Sequence, residues 1–161
     1  KGEVIPRFIL WSLAGKPPLI YGDGKQTRDF TYVEETANYL IRLSESKKAI
    51  GQAFNVCRGQ EVSILKIAEI ICELTGHQVR PTHLAGRPND VLRLCGDPSR
   101  LRGLLGDSPK VSIREGLKKT VSWFKENVPL SQFLFRLLET ENWKSQKKEW
   151  WMKSVSGSAR A

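Results

Sequence analysis

Apolar positions along this chain follow two periods, a helical one near 3.6 and short bursts of three to six residues bounded by glycine or proline. Phe8, Ile9 and Leu13 share a helical face, Pro6 suits a first helical position, and Gly15 followed by "KPP" stops the run. Leu19, Ile20 and Tyr21 read as a short strand leading into the turn "GDGKQTRDFTYV". Glu34 and Glu35 then favour a helix N-terminus, and Ala37, Leu40, Ile41 and Ser44 continue it at helical spacing. "QAFNVC" (52–57) predicts a buried strand and "RGQEVS" a loop. Ser63 is the expected cap of a third helix faced by Ile64, Ile67, Ala68, Ile71 and Leu74 and ended by Gly76. "QVRPTHL" reads as an edge or extended segment because Pro81 cannot donate to a ladder.

Asp97 and Pro98 offer a cap and first residue for a helix through "SRLRGLL", closed by Gly106. Ser112 and Glu115 have capping-box spacing ahead of the stripe Ile113, Leu117, Val121 and Phe124. The expected fold class is therefore α/β, helices alternating with short strands. Beyond Pro129 the pattern changes to mixed apolar, basic and tryptophan-rich sequence. This predicts one domain over 1–129 and a basic tail over 130–161, helical and then frayed.

Composition narrows the partners. The chain has 161 residues, 40% of them hydrophobic, enough for a core. With 26 Lys and Arg against 17 Asp and Glu, the net charge of +9 suits an anionic partner. Cys57, Cys72 and Cys95 are odd in number and far apart, which argues against a disulfide framework or thiolate metal site and for a reducing compartment, hence a cytoplasmic location. His77 and His83 lack acidic neighbours at ligand spacing, so no metal is expected. No run of eighteen apolar residues is present, so no transmembrane segment is expected. The opening residue is Lys rather than Met, directly before a helix, as in a piece of a longer chain.

Two loops carry candidate chemistry. Gly22 and Gly24 around Asp23 make a tight turn that points backbone N–H groups outward, and Arg28 follows it. "GRPND" (86–90) places Arg87 in a second stiffened loop with Asp90 three residues on. A guanidinium fits a phosphate through two parallel hydrogen bonds. If the loops converge, Arg28 and Arg87 clamp a diphosphate while Asp90 accepts from a ribose hydroxyl. Surface pairing of Arg28 with Asp29 or Glu34, and of Arg87 with Asp90, would account for the same residues. Tyr21 and Lys25 have the count of a Tyr-x-x-x-Lys acid/base pair, but Gly22, Asp23 and Gly24 between them predict a turn, so the two side chains should not share a face. No catalytic residue is assigned.

The segments "VIPRFI", "PLIYGDGKQTRDFTYVEETA", "FNVCRGQEVSILKIAEII", "GRPNDV", "DPSRLRGLLG" and "PKVSIREGLKKTVSWF", in this order, resemble the C-terminal half of the NAD-dependent epimerase/dehydratase family, the extended short-chain dehydrogenases, over roughly residues 2–127. The resemblance implies the substrate-binding portion of such an enzyme. Arg28, Arg87 and Asp90 would hold the nucleoside diphosphate of a UDP- or dTDP-sugar, and Leu19 and Tyr21 would line the base. It also implies NAD for the full-length family member, on a glycine-rich Rossmann turn that this chain lacks. The expectation is a chain without its N-terminal Rossmann domain, binding no NAD and catalytically inactive alone. Cys57 replaces the usual glycine after "NV", which weakens the case for Asn55 as a ligand, and Asp107 replaces the usual Trp after Leu105 and Gly106.

The helix over 34–45 and the strand over 52–57 would then meet the missing Rossmann domain, and left uncovered they favour self-association, including a homodimer. Two other readings compete. One is a nonenzymatic module binding nucleic acid or an anionic membrane through Lys147, Lys148, Trp150 and Trp151, although nucleic acid is not the expected partner. The other is a truncated subunit that serves only in dimerisation.

Overall fold

The fold is mixed α/β, with helices and short strands interspersed along the chain. The computed structural model describes residues 3–77 and 80–129. In chain order these form α1 (Val4–Leu13), β1 (Leu19–Tyr21), β2 (Thr27–Asp29), α2 (Val33–Glu45), a 3-10 turn (Lys47–Ala49), β3 (Glu61–Ser63), α3 (Ile64–Thr75), β4 (Thr82–Leu84), β5 (Arg93–Leu94), α4 (Ser99–Leu105) and α5 (Ile113–Asn127). The tail expected over 130–161 lies outside the described residues.

Local chemistry accounts for most boundaries. Ser63 Oγ accepts the Lys66 N–H at 3.2 Å and Gly76 ends α3 at φ 78, as a left-handed cap should. Ser112 Oγ accepts the Glu115 N–H, also at 3.2 Å. Asp97 Oδ1 accepts from the backbone N–H and the hydroxyl of Ser99, so α4 begins one residue later than the sequence predicts, with Pro98 at the cap. Pro6 lies third in α1 rather than first. Backbone N–H groups of the first turn have no partner inside the helix, so a proline there removes no bond.

Two expectations are corrected. Residues 52–57 form no strand, because a strand needs a neighbour to share a ladder and this segment is held by side chains. The Asn55 Nδ2 donates to the Asp97 carbonyl, and Arg100 donates to Gln52 Oε1 and stacks on the Phe54 ring at 5.6 Å. The strand in this part of the chain is instead β3, inside the stretch expected as a loop. The glycine turn likewise continues into β2, so Arg28 sits on a strand.

Two small sheets follow. β1 pairs in parallel with β4, with Tyr21 opposite Leu84. β2 lies between β3, antiparallel, and β5, parallel, with Arg28 opposite Val62 on one side and Leu94 on the other. Gly24 ties this arrangement to α3. At φ 77 it turns the chain so that its carbonyl accepts the Leu65 N–H at 3.0 Å, and a Cβ there would lie 3.0 Å from Leu65 Cβ.

The core joins α1, α3 and α5 through Phe8, Ile9, Ile67, Ile71, Leu117 and Val121, with Ile20 of β1 and Ile64 closing it beneath the turn. The predicted face of α2 does not join it. Leu40 is 57% and Ile41 58% exposed, and Tyr39 is the buried side chain of that helix. Asp107, where the resemblance leads one to expect Trp, pairs with Arg42 at 2.9 Å, and Arg42 also donates to the Leu105 carbonyl, fastening α2 to the end of α4.

The sheet edge carries a titratable link. Glu61 of β3 accepts from Arg93 of β5 and from Thr27 of β2 at 2.6 Å. Hydrogen bonding first to Arg93 and then to Thr27 holds its carboxyl down to about 2 from the ordinary 4.5. A lowered folded-state value adds stability above the ordinary value and loses it as pH falls through the folded one. Acid unfolding between pH 4.5 and about 2 should therefore be less steep in Glu61→Gln, read by far-UV circular dichroism. An unchanged acid profile would show that the link does not matter to stability.

Candidate functional site

The two candidate loops meet over β1 and β2. Arg28 projects from β2, while Arg87 and Asp90 bracket a turn in which the Asp90 N–H donates to the Arg87 carbonyl at 3.4 Å. Pro88 in its second position and Asn89 at φ 58 in its third are the type II pattern. The turn brings Asp90 Oδ1 to 3.2 Å from Arg28 Nη2. Asp90 therefore pairs with Arg28, and the local Arg87–Asp90 ion pair is not what the described residues form. Arg28 also donates through Nη1 to the Thr27 and Val91 carbonyls, each at 2.7 Å. Among the described residues three of its five N–H donors are engaged, leaving two.

Arg87 stacks instead on the Tyr21 ring at 4.1 Å. Arg28, Arg87, Asp90, Leu19 and Tyr21 all line one cavity of about 440 Å³, within the range of small-molecule sites. Ile20, Phe30, Ile64 and Leu94 add apolar wall. Sequence reasoning missed Glu3 and Arg7 of the α1 end, and Gln26 and Asp29, which line it too. The separation of Glu3 and Arg7 by four residues, one helical turn, was the available signal.

Asp29 links the cavity to the cysteines. Its Oδ2 accepts the Gly59 N–H at 2.8 Å and faces the exposed Cys95 thiol at 3.9 Å. Cys57 is packed so tightly on Gly96 that a Cβ there would lie 2.5 Å from its Sγ. Burial, then the Asp29 charge, pushes the Cys57 thiol up, so this side chain is a packing element and a poor nucleophile. Asn55, bonded to Asp97, is not part of the cavity wall. Tyr21 and Lys25 do not share a helix. Tyr21 lies on β1, and Lys25 pairs with Asp23 in the turn at 3.7 Å.

A family model described as GDP-mannose 4,6 dehydratase matches residues 2–120. The chain belongs to this family. Its relatives are NAD-dependent epimerases and dehydratases acting on nucleotide sugars. A UDP-glucuronate 4-epimerase from Thermodesulfobacterium geofontis is 40% identical over 126 residues, which make up 77% of this chain and 38% of that protein. Among solved structures, an epimerase from Methanothermobacter thermautotrophicus superposes with a TM-score of 0.75 at 37% identity, covering 84% of this chain and 39% of that one. The UDP-glucose 4-epimerase of Thermotoga maritima, solved with UDP-glucose, gives 0.73 at 30% identity, covering 80% and 41%. The chain thus spans about two fifths of the length of the family members it matches.

Among the described residues no pair of glycines opens a helix after a strand. A dinucleotide cradle needs a glycine turn that opens a helix after a strand. Gly22 and Gly24 lead into β2, Gly59 into β3, and Gly76 and Gly106 close helices. Among the described residues no group of His, Cys, Asp and Glu could hold a metal ion, and no helix is long and apolar enough to cross a membrane.

Proposed function

We propose that this cavity binds the nucleoside diphosphate of a nucleotide sugar, and that the chain acts as the substrate-binding portion of an epimerase or dehydratase. Arg28 and Arg87 hold the diphosphate, the free oxygen of Asp90 accepts from a ribose hydroxyl, and Leu19 and Tyr21 line the base. The observation that carries this reading is that two guanidinium groups far apart in the chain, one on β2 and one on the 86–90 loop, line one cavity with an aromatic ring and a carboxylate. Asp90 draws Arg28 into position while leaving it two donors. Tyr21 holds the Arg87 plane and leaves its edges available to oxygen.

The chain on its own binds nucleotide and turns over nothing, since hydride transfer and proton transfer belong to residues outside it. The exposed face of α2 and the groove of Leu40, Leu43, Ile50, Phe54 and Val56 beside it are the surface on which a dinucleotide-binding domain rests. Calorimetric titration with UDP and dTDP tests the reading. One saturable site is expected for a nucleoside diphosphate, with no product from UDP-sugar and NAD by chromatography. Absence of binding by either nucleotide would remove the proposal.

A further inference from the structure

A second apolar groove opens along α5. Ile5, Phe30, Ile113, Leu117 and Thr120 line it, around a space of about 240 Å³. Trp123, one turn beyond Thr120 on the same side of the helix, continues the apolar strip towards the end of α5 and is 55% exposed. A large aromatic ring left in water beside an open groove marks a surface that something covers.

The chain itself carries a fitting occupant. α5 ends at Asn127, and the sequence "VPLSQFLFRLLETE" (128–141) follows directly. It sets Leu130, Phe133, Leu134, Leu137 and Leu138 at the spacing of one helical face. Pro129 breaks the preceding helical run, and Ser131 has the chemistry of a helix cap. A link of about four residues between them is of the length that joins antiparallel helices. Residues 132–138 as a helix would span about 10 Å, which matches the return along α5 from Asn127 to Thr120. Such a return also brings Glu141 level with the turn of Lys119, whose ammonium lies over the Tyr32 ring at the groove, 5.0 Å away.

We propose that residues 130–138 dock in this groove as an amphipathic helix antiparallel to α5, covering Trp123. The tether favours the chain's own segment over a second copy, because a short link gives a roughly millimolar effective concentration. Phe30 lines both this groove and the nucleotide cavity, so the docked segment backs one wall of that site without touching a ligand. The inference stands independently of the diphosphate reading.

Hydrogen–deuterium exchange of the full chain, resolved by peptide mass spectrometry, is the test. Amides over 130–138 should exchange at least about tenfold more slowly than their unprotected rates, as docked helices do. Trp123→Ser and Leu137→Asp should each abolish that protection while the amides of α3 keep theirs. Arg136→Ser, off the apolar stripe, should leave it unchanged. Should Trp123→Ser unsettle α3, Thr120→Arg fills the groove from the same helix and replaces it. Unprotected exchange over 130–138 in wild type overturns the inference. Protection that survives the groove variants also overturns it, since the segment would then rest elsewhere. Protection that falls on dilution overturns it too, and assigns the groove to a second copy.

Discussion

Arg28→Ala is expected to weaken UDP binding by about 10- to 150-fold, the loss of one charge-assisted contact of about 1.5 to 3 kcal/mol. The position does more than meet the ligand. Its guanidinium links β2 to the loop through the Val91 carbonyl and Asp90. Removing it leaves the Asp90 carboxylate facing the cavity without its cation, adding repulsion towards the diphosphate. Arg28→Lys separates these effects, because it keeps the charge but cannot serve Val91, Asp90 and a phosphate at once. Lys should therefore bind UDP with an affinity between those of Arg and Ala. Calorimetry measures the affinities, and a melting curve for each variant reports how much of the change comes from the loop.

Ile67→Ala should be the most destabilising single truncation considered, by about 2 to 5 kcal/mol. Ile67 is fully buried in the first half of α3, the helix that packs on both α1 and α5. The cluster it belongs to joins residues of α1, α3 and α5, which cannot all close in on the space left. The consequence reaches the site, because α3 begins at Ile64, which forms part of the cavity wall, and its first turn is bonded to the Gln26 and Gly24 carbonyls. Urea unfolding followed by circular dichroism measures the loss. A change below about 1 kcal/mol would mean that α3 is not the centre of this core.

Much of this was legible in the chain because short-range chemistry dominates it. The caps at Ser63 and Ser112, the left-handed glycines at 76 and 106 and the buried stripe of α3 depend on residues within one or two turns, and they stand where the sequence places them. The strand expected over 52–57 depended on a pairing partner, and its apolar residues alone cannot supply a ladder. β2, β3 and β5 have the opposite character. They are two or three residues long, polar, and defined by one another, so no run of apolar residues announces them. The same holds for the cavity. Arg28, Arg87 and Asp90 could be picked out by residue type, but the stacking of Arg87 on Tyr21 depends on the parallel pairing of β1 with β4, and the pairing of Asp90 with Arg28 on that of β2 with β5. Arg7 was not picked out because on a helix it resembles any surface cation, until the strands close beneath it.

The central claim is that Arg28 and Arg87 act on one diphosphate, and the measurement that meets it most directly is the affinity difference between UDP and uridine in wild type, Arg28→Ala, Arg87→Ala and the double variant. Each single variant should narrow that difference and the double should abolish it, with uridine affinity little changed throughout. Wild-type preference for UDP persisting in the double variant would contradict the account, because the phosphates would then be held by other groups.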